Sequence, residues 1–151
     1  MAANDELPLP REASNSALPY RIHPVRPVDS EDWQRLRNLL WDDEEDGHEY
    51  EIERYFLGKL IEPNEVLIAR TPDGRAVGHI ELSVRRNLRR LPGRNTGYVE
   101  GLYIEPAHRH RGLVVMLLRA GERWARERGC SAFASDREER LIVHRRFGQA
   151  V

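Results

Sequence analysis

The sequence predicts a single mixed α/β (α+β) domain, in which helices pack against a mixed sheet. Segments with strand and helix patterns follow one another in the order β-α-α-β-β-β-α-β-α. This order is typical of a layered α/β fold rather than of a helix bundle or a β-sandwich. The 151 residues suffice for one domain with its own core. We place this domain at residues 20–151 and expect residues 1–19 to form a disordered lead.

The first part of the domain predicts one strand and two helices. Residues 20–26 alternate weakly between polar and apolar side chains, as a half-buried strand does. Ser30 is a favourable N-cap residue, and the acidic residues that follow it suit the first turn of a helix. The apolar face of this helix consists of Trp33, Leu36, Leu39 and Leu40. A second helix is expected after the acidic run 42–46, with apolar positions at Tyr50, Phe56, Leu57 and Leu60.

A β-hairpin is the clearest local signal in the chain. Pro72-Asp73-Gly74 lies between the β-rich runs 66–70 and 76–84, and these residue types favour a tight turn. In the second run, Glu81 and Ser83 alternate with apolar residues and therefore point to the opposite face of the strand.

The second half of the chain predicts two further strands and two helices. The arginine-rich residues 85–97 are expected to form a mobile loop. In the strand that follows, at 98–104, Gly101 indicates a bulge or a close approach of another group. The remaining expected elements are a helix from 113 that stops at Gly129, a short strand at 130–134 and a polar helix at 137–147.

Composition and charge exclude several classes of protein. The chain has 24 basic and 25 acidic residues, and its arginine-rich segments lack interleaved aromatic residues, so we expect no nucleic-acid partner. No apolar run is long enough to span a bilayer, and residues 1–19 lack the apolar core of a signal peptide. Cys130 is the only cysteine, and the histidines are not spaced from a cysteine or carboxylate as zinc ligands usually are. We therefore expect no bound metal. These observations favour a cytoplasmic protein without a membrane partner.

A basic turn precedes the helix at 113. Residues 107–112 contain two arginines, two histidines and Gly112, and they connect the strand 98–104 to the helix. The first turn of a helix exposes unpaired N–H groups and a partial positive charge, and glycine allows a ligand to approach the backbone. A turn of this kind is suited to binding phosphate.

Several motifs together resemble those of one enzyme family. The segment 109–114 resembles the phosphate-binding loop R/Q-x-x-G-x-G/A of the GNAT acetyltransferases, with Val114 in the place of the final small residue. Further motifs follow in the order seen in bacterial aminoglycoside 6'-N-acetyltransferases. They are Leu36–Trp41, Ser83–Arg85, Glu100–Pro106, Ala134–Asp136 and His144–Gly148.

The resemblance implies acetyl-CoA as cosubstrate and assigns the residues that would bind it. Backbone groups of Leu102, Tyr103 and Ile104 would pair with the pantetheine arm, and one N–H would face the thioester oxygen. The diphosphate would lie on the turn that consists of Arg109, His110, Arg111, Gly112, Leu113 and Val114.

The resemblance also implies a cationic amine acceptor, an aminoglycoside. Glu100 and Asp136 would bind the acceptor, and either carboxylate could accept its proton, directly or through water. Trp41 and Glu44 correspond to positions that contact the acceptor, and Glu81 is a further candidate for charge in the pocket.

The resemblance is weaker near the end of the sequence. The segment between Asp136 and His144 is about one helical turn shorter than in the family, and the family pattern continues through two further strands after Gly148. An incomplete sheet predicts low stability, aggregation or completion by a partner chain, and we expect a homodimer. The alternatives are acetylation of another amine, such as a polyamine or peptide, and a non-catalytic module that binds CoA or an aminoglycoside.

Overall fold

The computed structural model describes residues 20–41 and 45–147, apart from the side chains of 45 and 46. The strands are β1 (Arg21–Pro24), β2 (Glu65–Arg70), β3 (Ala76–Leu88), β4 (Leu91–Ile104), β5 (Ala132–Arg137) and β6 (Arg140–Arg146). The helices are α1 (Ser30–Leu40), α2 (Glu45–Phe56) and α3 (Leu113–Glu127), with short 3₁₀ turns at Pro27–Asp29 and Pro106–His108.

The strands form one mixed sheet in the order β1-β2-β3-β4-β5-β6. Every neighbouring pair is antiparallel except β4 and β5, which are parallel and connected through α3. The predicted hairpin is confirmed, because β2 and β3 pair across a turn at 71–75. This architecture confirms the predicted α/β fold class.

The two faces of the sheet bury separate apolar cores. Helix α3 covers one face, where Leu113, Leu117 and Trp124 pack on Leu82 and Phe133. On the other face, α1 and α2 contribute Trp33, Leu36 and Ile52, which pack on Val66 and Ile68. Three residues that were predicted to be apolar contacts are exposed: Leu39 of α1, Tyr50 of α2, and Leu57, which follows α2. The predicted apolar faces of these helices are therefore only partly correct.

The loop predicted at 85–97 is wrong. Strand β3 continues to Leu88 and β4 begins at Leu91, so the connection between them is a two-residue turn. Leu91 is buried against Ala132 and Ala134, and Leu88 packs at the edge of this small cluster. The strands are extended because the neighbouring strand β5 supplies these apolar contacts, which no local pattern in the sequence reveals.

The helix predicted at 137–147 is also wrong. Residues 140–146 form β6, which pairs with β5 through a tight turn. The turn residues Glu138 and Glu139 have φ values of 50° and 65°, a conformation that asparagine and glycine usually supply. Leu141 and Val143, two residues apart on the same face of β6, pack against the cluster around Ala134, and this packing favours the strand.

No helix in the described part of the chain is long and apolar enough to cross a membrane.

Candidate active site

A cleft opens where β4 and β5 separate. The two strands pair from Thr96↔Ala132 to Val99↔Ser135 and then diverge. The resulting cleft has a volume of about 630 Å³, and its walls include Glu100, Asp136 and Val114. The structure therefore brings both predicted carboxylates to one cavity beside the first turn of α3.

Glu100 occupies a bulge in β4. Glu81 of β3 pairs with Gly101 and Leu82 pairs with Val99, so Glu100 is the extra residue of β4. A bulge bends its strand and changes the direction of the side chain. This confirms the irregularity predicted from Gly101 and explains how a residue in the middle of a strand lines the cleft.

The carboxylate of Glu100 is held by one arginine. Arg85 Nε and Nη2 donate hydrogen bonds to the two oxygens of Glu100 at 2.8 and 2.9 Å. Arg85 Nη2 also donates to Glu62 Oε1 at 3.3 Å. The hydrogen bonds and charge of Glu100 raise the pKa of Arg85 above its ordinary value.

Asp136 is held by a tyrosine. The Tyr98 hydroxyl donates a short hydrogen bond to Asp136 Oδ2. Burial, together with this carboxylate, raises the pKa of Tyr98, so the phenol stays protonated at neutral pH and remains a donor. The Asp136 carboxylate therefore accepts a hydrogen bond from a neutral group.

A serine and a histidine lie on another wall of the cleft. Ser135 Oγ and His144 Nε2 are 2.7 Å apart, and both residues line the cavity. Burial lowers the pKa of His144, which favours the neutral imidazole at pH 7. The His144 ring packs on Phe133, with 5.6 Å between ring centroids.

The basic turn leads into α3 through two residues with positive φ. Gly112 is the N-cap of α3 with a φ of 84°, and His110 has a φ of 64°. The N-cap Gly112 has no side chain that could accept hydrogen bonds from the first turn of α3, so the amides of this turn have no N-cap side-chain partner. His110 and Arg111 are exposed, Leu113 is buried in the core and Val114 is exposed beside the cleft.

The predicted pantetheine-binding residues lie in β4 beyond the point where β5 separates. Leu102, Tyr103 and Ile104 pair with β3 on one side, while the pairing with β5 ends at Val99. Arg109 Nε donates to the Ile104 carbonyl at 2.8 Å, which anchors the turn to the strand. The open edge of β4 therefore leads from the cleft toward the basic turn.

Trp41 lies across β4 from the cleft. A Cβ atom on Gly101 would be 2.6 Å from Trp41 Cη2, so the indole rests directly on the glycine next to Glu100. The Arg37 guanidinium carbon lies 5.3 Å from the centroid of the Trp41 ring. Glu44, the other predicted acceptor contact, lies outside the described residues.

The prediction that Glu81 adds charge to the pocket is wrong. Its side chain is fully buried beneath α1, where Trp33, Arg37 and His79 contact it. The alternation of β3 correctly placed Glu81 on the face opposite Leu82. However, the sequence does not show that α1 covers this face.

The cleft residues that received no role from the sequence include Arg85, Tyr98, Ser135 and His144. Arg85 lies where a loop was predicted, and its guanidinium contacts the ring of Tyr98 on the next strand. His144 lies on β6, where a helix was predicted. Among the described residues no group of three His, Cys, Asp or Glu side chains is arranged to hold a metal ion.

The profile of the acetyltransferase (GNAT) family matches residues 33–148. The chain belongs to this family. Members of the GNAT family with solved structures share its fold. One is the AAC(6')-Iy enzyme in complex with the bisubstrate analog CoA-S-monomethyl-acetylneamine, with a TM-score of 0.71 and 27% identity over 79% of this chain and 80% of that chain.

Other GNAT proteins are more similar in sequence. The aminoglycoside N(6')-acetyltransferase type 1 of Klebsiella aerogenes is 42% identical over 116 residues, which are 76% of each chain. The structure of the 6'-N-acetyltransferase AAC(6')-IG from Acinetobacter haemolyticus has a TM-score of 0.70 and 34% identity. This match covers 78% of this chain and 79% of that chain.

Proposed function

We propose that this chain transfers the acetyl group of acetyl-CoA to the 6'-amino group of aminoglycoside antibiotics and so confers resistance to them. The main observation is the cleft, in which two carboxylates lie beside a helix N-terminus suited to a diphosphate. Relatives named as aminoglycoside 6'-N-acetyltransferases, and one solved with a bisubstrate analog, support the proposal.

Acetyl-CoA would supply the acetyl thioester, and its diphosphate would lie on the turn from Arg109 to Val114. The amides of this turn and the partial positive charge of the α3 N-terminus suit such a ligand. The backbone of Leu102, Tyr103 and Ile104 would hold the pantetheine arm along the open edge of β4. An N–H of this strand would stabilise negative charge on the acetyl oxygen.

The acceptor amine would bind between Glu100 and Asp136 in the cleft. The resemblance adds Trp41 and Glu44 as positions that would contact other parts of the acceptor. An alkylammonium has a pKa near ~10, so it must lose a proton before it attacks. In our proposal this proton passes to a carboxylate of the cleft. The nitrogen then bonds to the acetyl carbon as the C–S bond breaks, and the departing thiolate takes up the second proton of the nitrogen.

The direct test is a thiol-release assay with the purified 151-residue chain. We expect CoA release from acetyl-CoA with kanamycin or tobramycin and much less with spermidine or a peptide amine. Preferential acetylation of spermidine or the peptide would show that the substrate is another amine and not an aminoglycoside. Calorimetric binding of tobramycin without any CoA release would indicate a non-catalytic module.

Gly101→Ala should weaken acceptor binding, because the new methyl group would displace the Trp41 ring. We expect the KM for tobramycin to rise about 3- to 10-fold, equivalent to the loss of one aromatic contact. The KM for acetyl-CoA should not change. Gly47→Ala is the control, since nothing lies within 4 Å of its added methyl group. An unchanged tobramycin KM in Gly101→Ala would remove Trp41 from the acceptor site.

We also propose that the protein acts as a homodimer in the cytoplasm, without nucleic-acid or membrane partners. The length of β6, an edge strand of the described sheet, supports a partner chain. Light scattering on the purified protein would distinguish a dimer of twice 17.6 kDa from a monomer.

A further inference from the structure

Arg85 connects the two carboxylates of the cleft, because it contacts Glu100 directly and also contacts Tyr98, the residue that holds Asp136. Its guanidinium forms a bidentate pair with Glu100 and a further hydrogen bond to Glu62. Its guanidinium carbon also lies 4.6 Å from the centroid of the Tyr98 ring. Tyr98 in turn donates its hydroxyl hydrogen bond to Asp136.

The two carboxylates accept hydrogen bonds from different kinds of donor: a charged guanidinium for Glu100 and a phenol for Asp136. The guanidinium is always protonated, and its planar fork matches both oxygens of a carboxylate. Glu100 is therefore neutralised, with both oxygens engaged by Arg85. The hydrogen bond that Asp136 accepts comes from an uncharged phenol, which brings no positive charge to this carboxylate.

Other charged groups near Asp136 do not reproduce the effect of Arg85. An adjoining cavity of about 450 Å³ shares Arg85, Tyr98 and Asp136 with the cleft. The further charged groups that line it are Arg89, Arg90, Glu139 and Arg140. The cleft itself adds Arg137, the residue after Asp136. All five are exposed, so solvent screens them more strongly than the partly buried Arg85.

We propose that Arg85 is a positioning residue that neutralises Glu100 and fixes Tyr98, and so makes Asp136 the carboxylate that accepts the proton of the acceptor. The inference rests on the proposed acetyl transfer and assigns roles within the same site. Glu100 then orients the acceptor and Arg85, whereas Asp136 forms the new O–H bond when the ammonium N–H bond breaks.

The test compares Arg85→Gln with Arg86→Gln, the same change at an exposed neighbouring position of β3. Without Arg85, two unneutralised carboxylates share the cleft, and this repulsion favours protonation of one of them. In Arg85→Gln we expect the acid limb of the pH profile of kcat/KM to move upward by about one pH unit. We expect kcat to fall roughly 10- to 100-fold through misplacement of Tyr98 and Asp136. The KM for acetyl-CoA should stay unchanged.

Arg85→Lys separates charge from geometry, because lysine keeps the positive charge but lacks the planar fork. This variant should keep the acid limb of the wild-type protein and lose part of kcat. If Arg85→Gln does not fold, Arg85→Lys decides: a wild-type kcat overturns the inference, and a reduced kcat with an unmoved acid limb supports it.

A pH profile and kcat in Arg85→Gln equal to those of Arg86→Gln would also overturn the inference. Failure of the proposed function has a different signature. In that case the wild-type protein and Arg86→Gln would themselves release no CoA with any aminoglycoside.

Discussion

Asp136→Asn is expected to lower kcat/KM for tobramycin by about 100- to 10,000-fold, the usual contribution of a general base. Asparagine has nearly the same shape, and its amide oxygen can still accept the Tyr98 hydrogen bond seen in the structure. It cannot take up a proton. The affinity for acetyl-CoA should therefore stay unchanged while thiol release nearly stops.

Two variants make this experiment specific. Glu138→Gln changes an exposed acidic residue in the turn after β5 and should keep wild-type activity. Glu100→Gln should raise the KM for tobramycin more than it lowers kcat, because Glu100 is already engaged by Arg85. A larger loss of kcat in Glu100→Gln than in Asp136→Asn would make Glu100 the base.

Glu81→Gln is expected to cost about 3 kcal/mol in the free energy of unfolding, because it removes the buried carboxylate that pairs with Arg37 and leaves only the partly exposed Glu51 to balance the arginine charge. Arg37 Nε and Nη2 donate to the two oxygens of Glu81 at 2.8 and 3.0 Å. Trp33 Nε1 donates to the same carboxylate at 2.9 Å. Both Arg37 and Glu81 are buried, with 6% and 0% of their surfaces exposed.

The loss of stability in Glu81→Gln should become smaller as the pH falls. Burial opposes ionisation of Glu81, but the hydrogen bonds and charges of His79 and Arg37 outweigh it and lower the pKa to about 2. A lowered carboxyl pKa stabilises the fold above the ordinary value of 4.5, and this contribution is lost as the pH falls toward 2.

Urea unfolding at a series of pH values measures this effect. The difference in unfolding free energy between the wild-type protein and Glu81→Gln should be largest near pH 7 and should shrink below about 4.5. Glu49→Gln, on the exposed surface of α2, is the control and should stay within about 0.5 kcal/mol of wild type. Equal stability of Glu81→Gln and Glu49→Gln at pH 7 would refute a stabilising role for the buried carboxylate.

Local chemistry was sufficient to predict several parts of the fold. The turn Pro72-Asp73-Gly74 specifies its hairpin through residues that favour a tight turn. Gly101 indicated the bulge of β4, and the helix predicted from residue 113 is α3, with Gly112 as its N-cap. In each case a few adjacent residues determine the conformation, so the sequence carries the signal within a short window.

The parts that could not be predicted depend on contacts between distant segments. The turn before β6 places Glu138 and Glu139 in a conformation that their residue type does not favour, and β6 is stabilised by packing on β5. The pair between Arg85 and Glu100 requires the register of β3 and β4 together with a bulge. This contact arises only when the sheet is assembled, since nothing in the sequence pairs Arg85 with Glu100.

A crystal structure with CoA and tobramycin bound would locate both substrates. We expect diphosphate oxygens on the amides of residues 109–114 and an amino group of tobramycin within about 3 Å of an Asp136 oxygen. A diphosphate bound away from the N-terminus of α3, or an antibiotic bound outside the cleft between β4 and β5, would contradict this expectation.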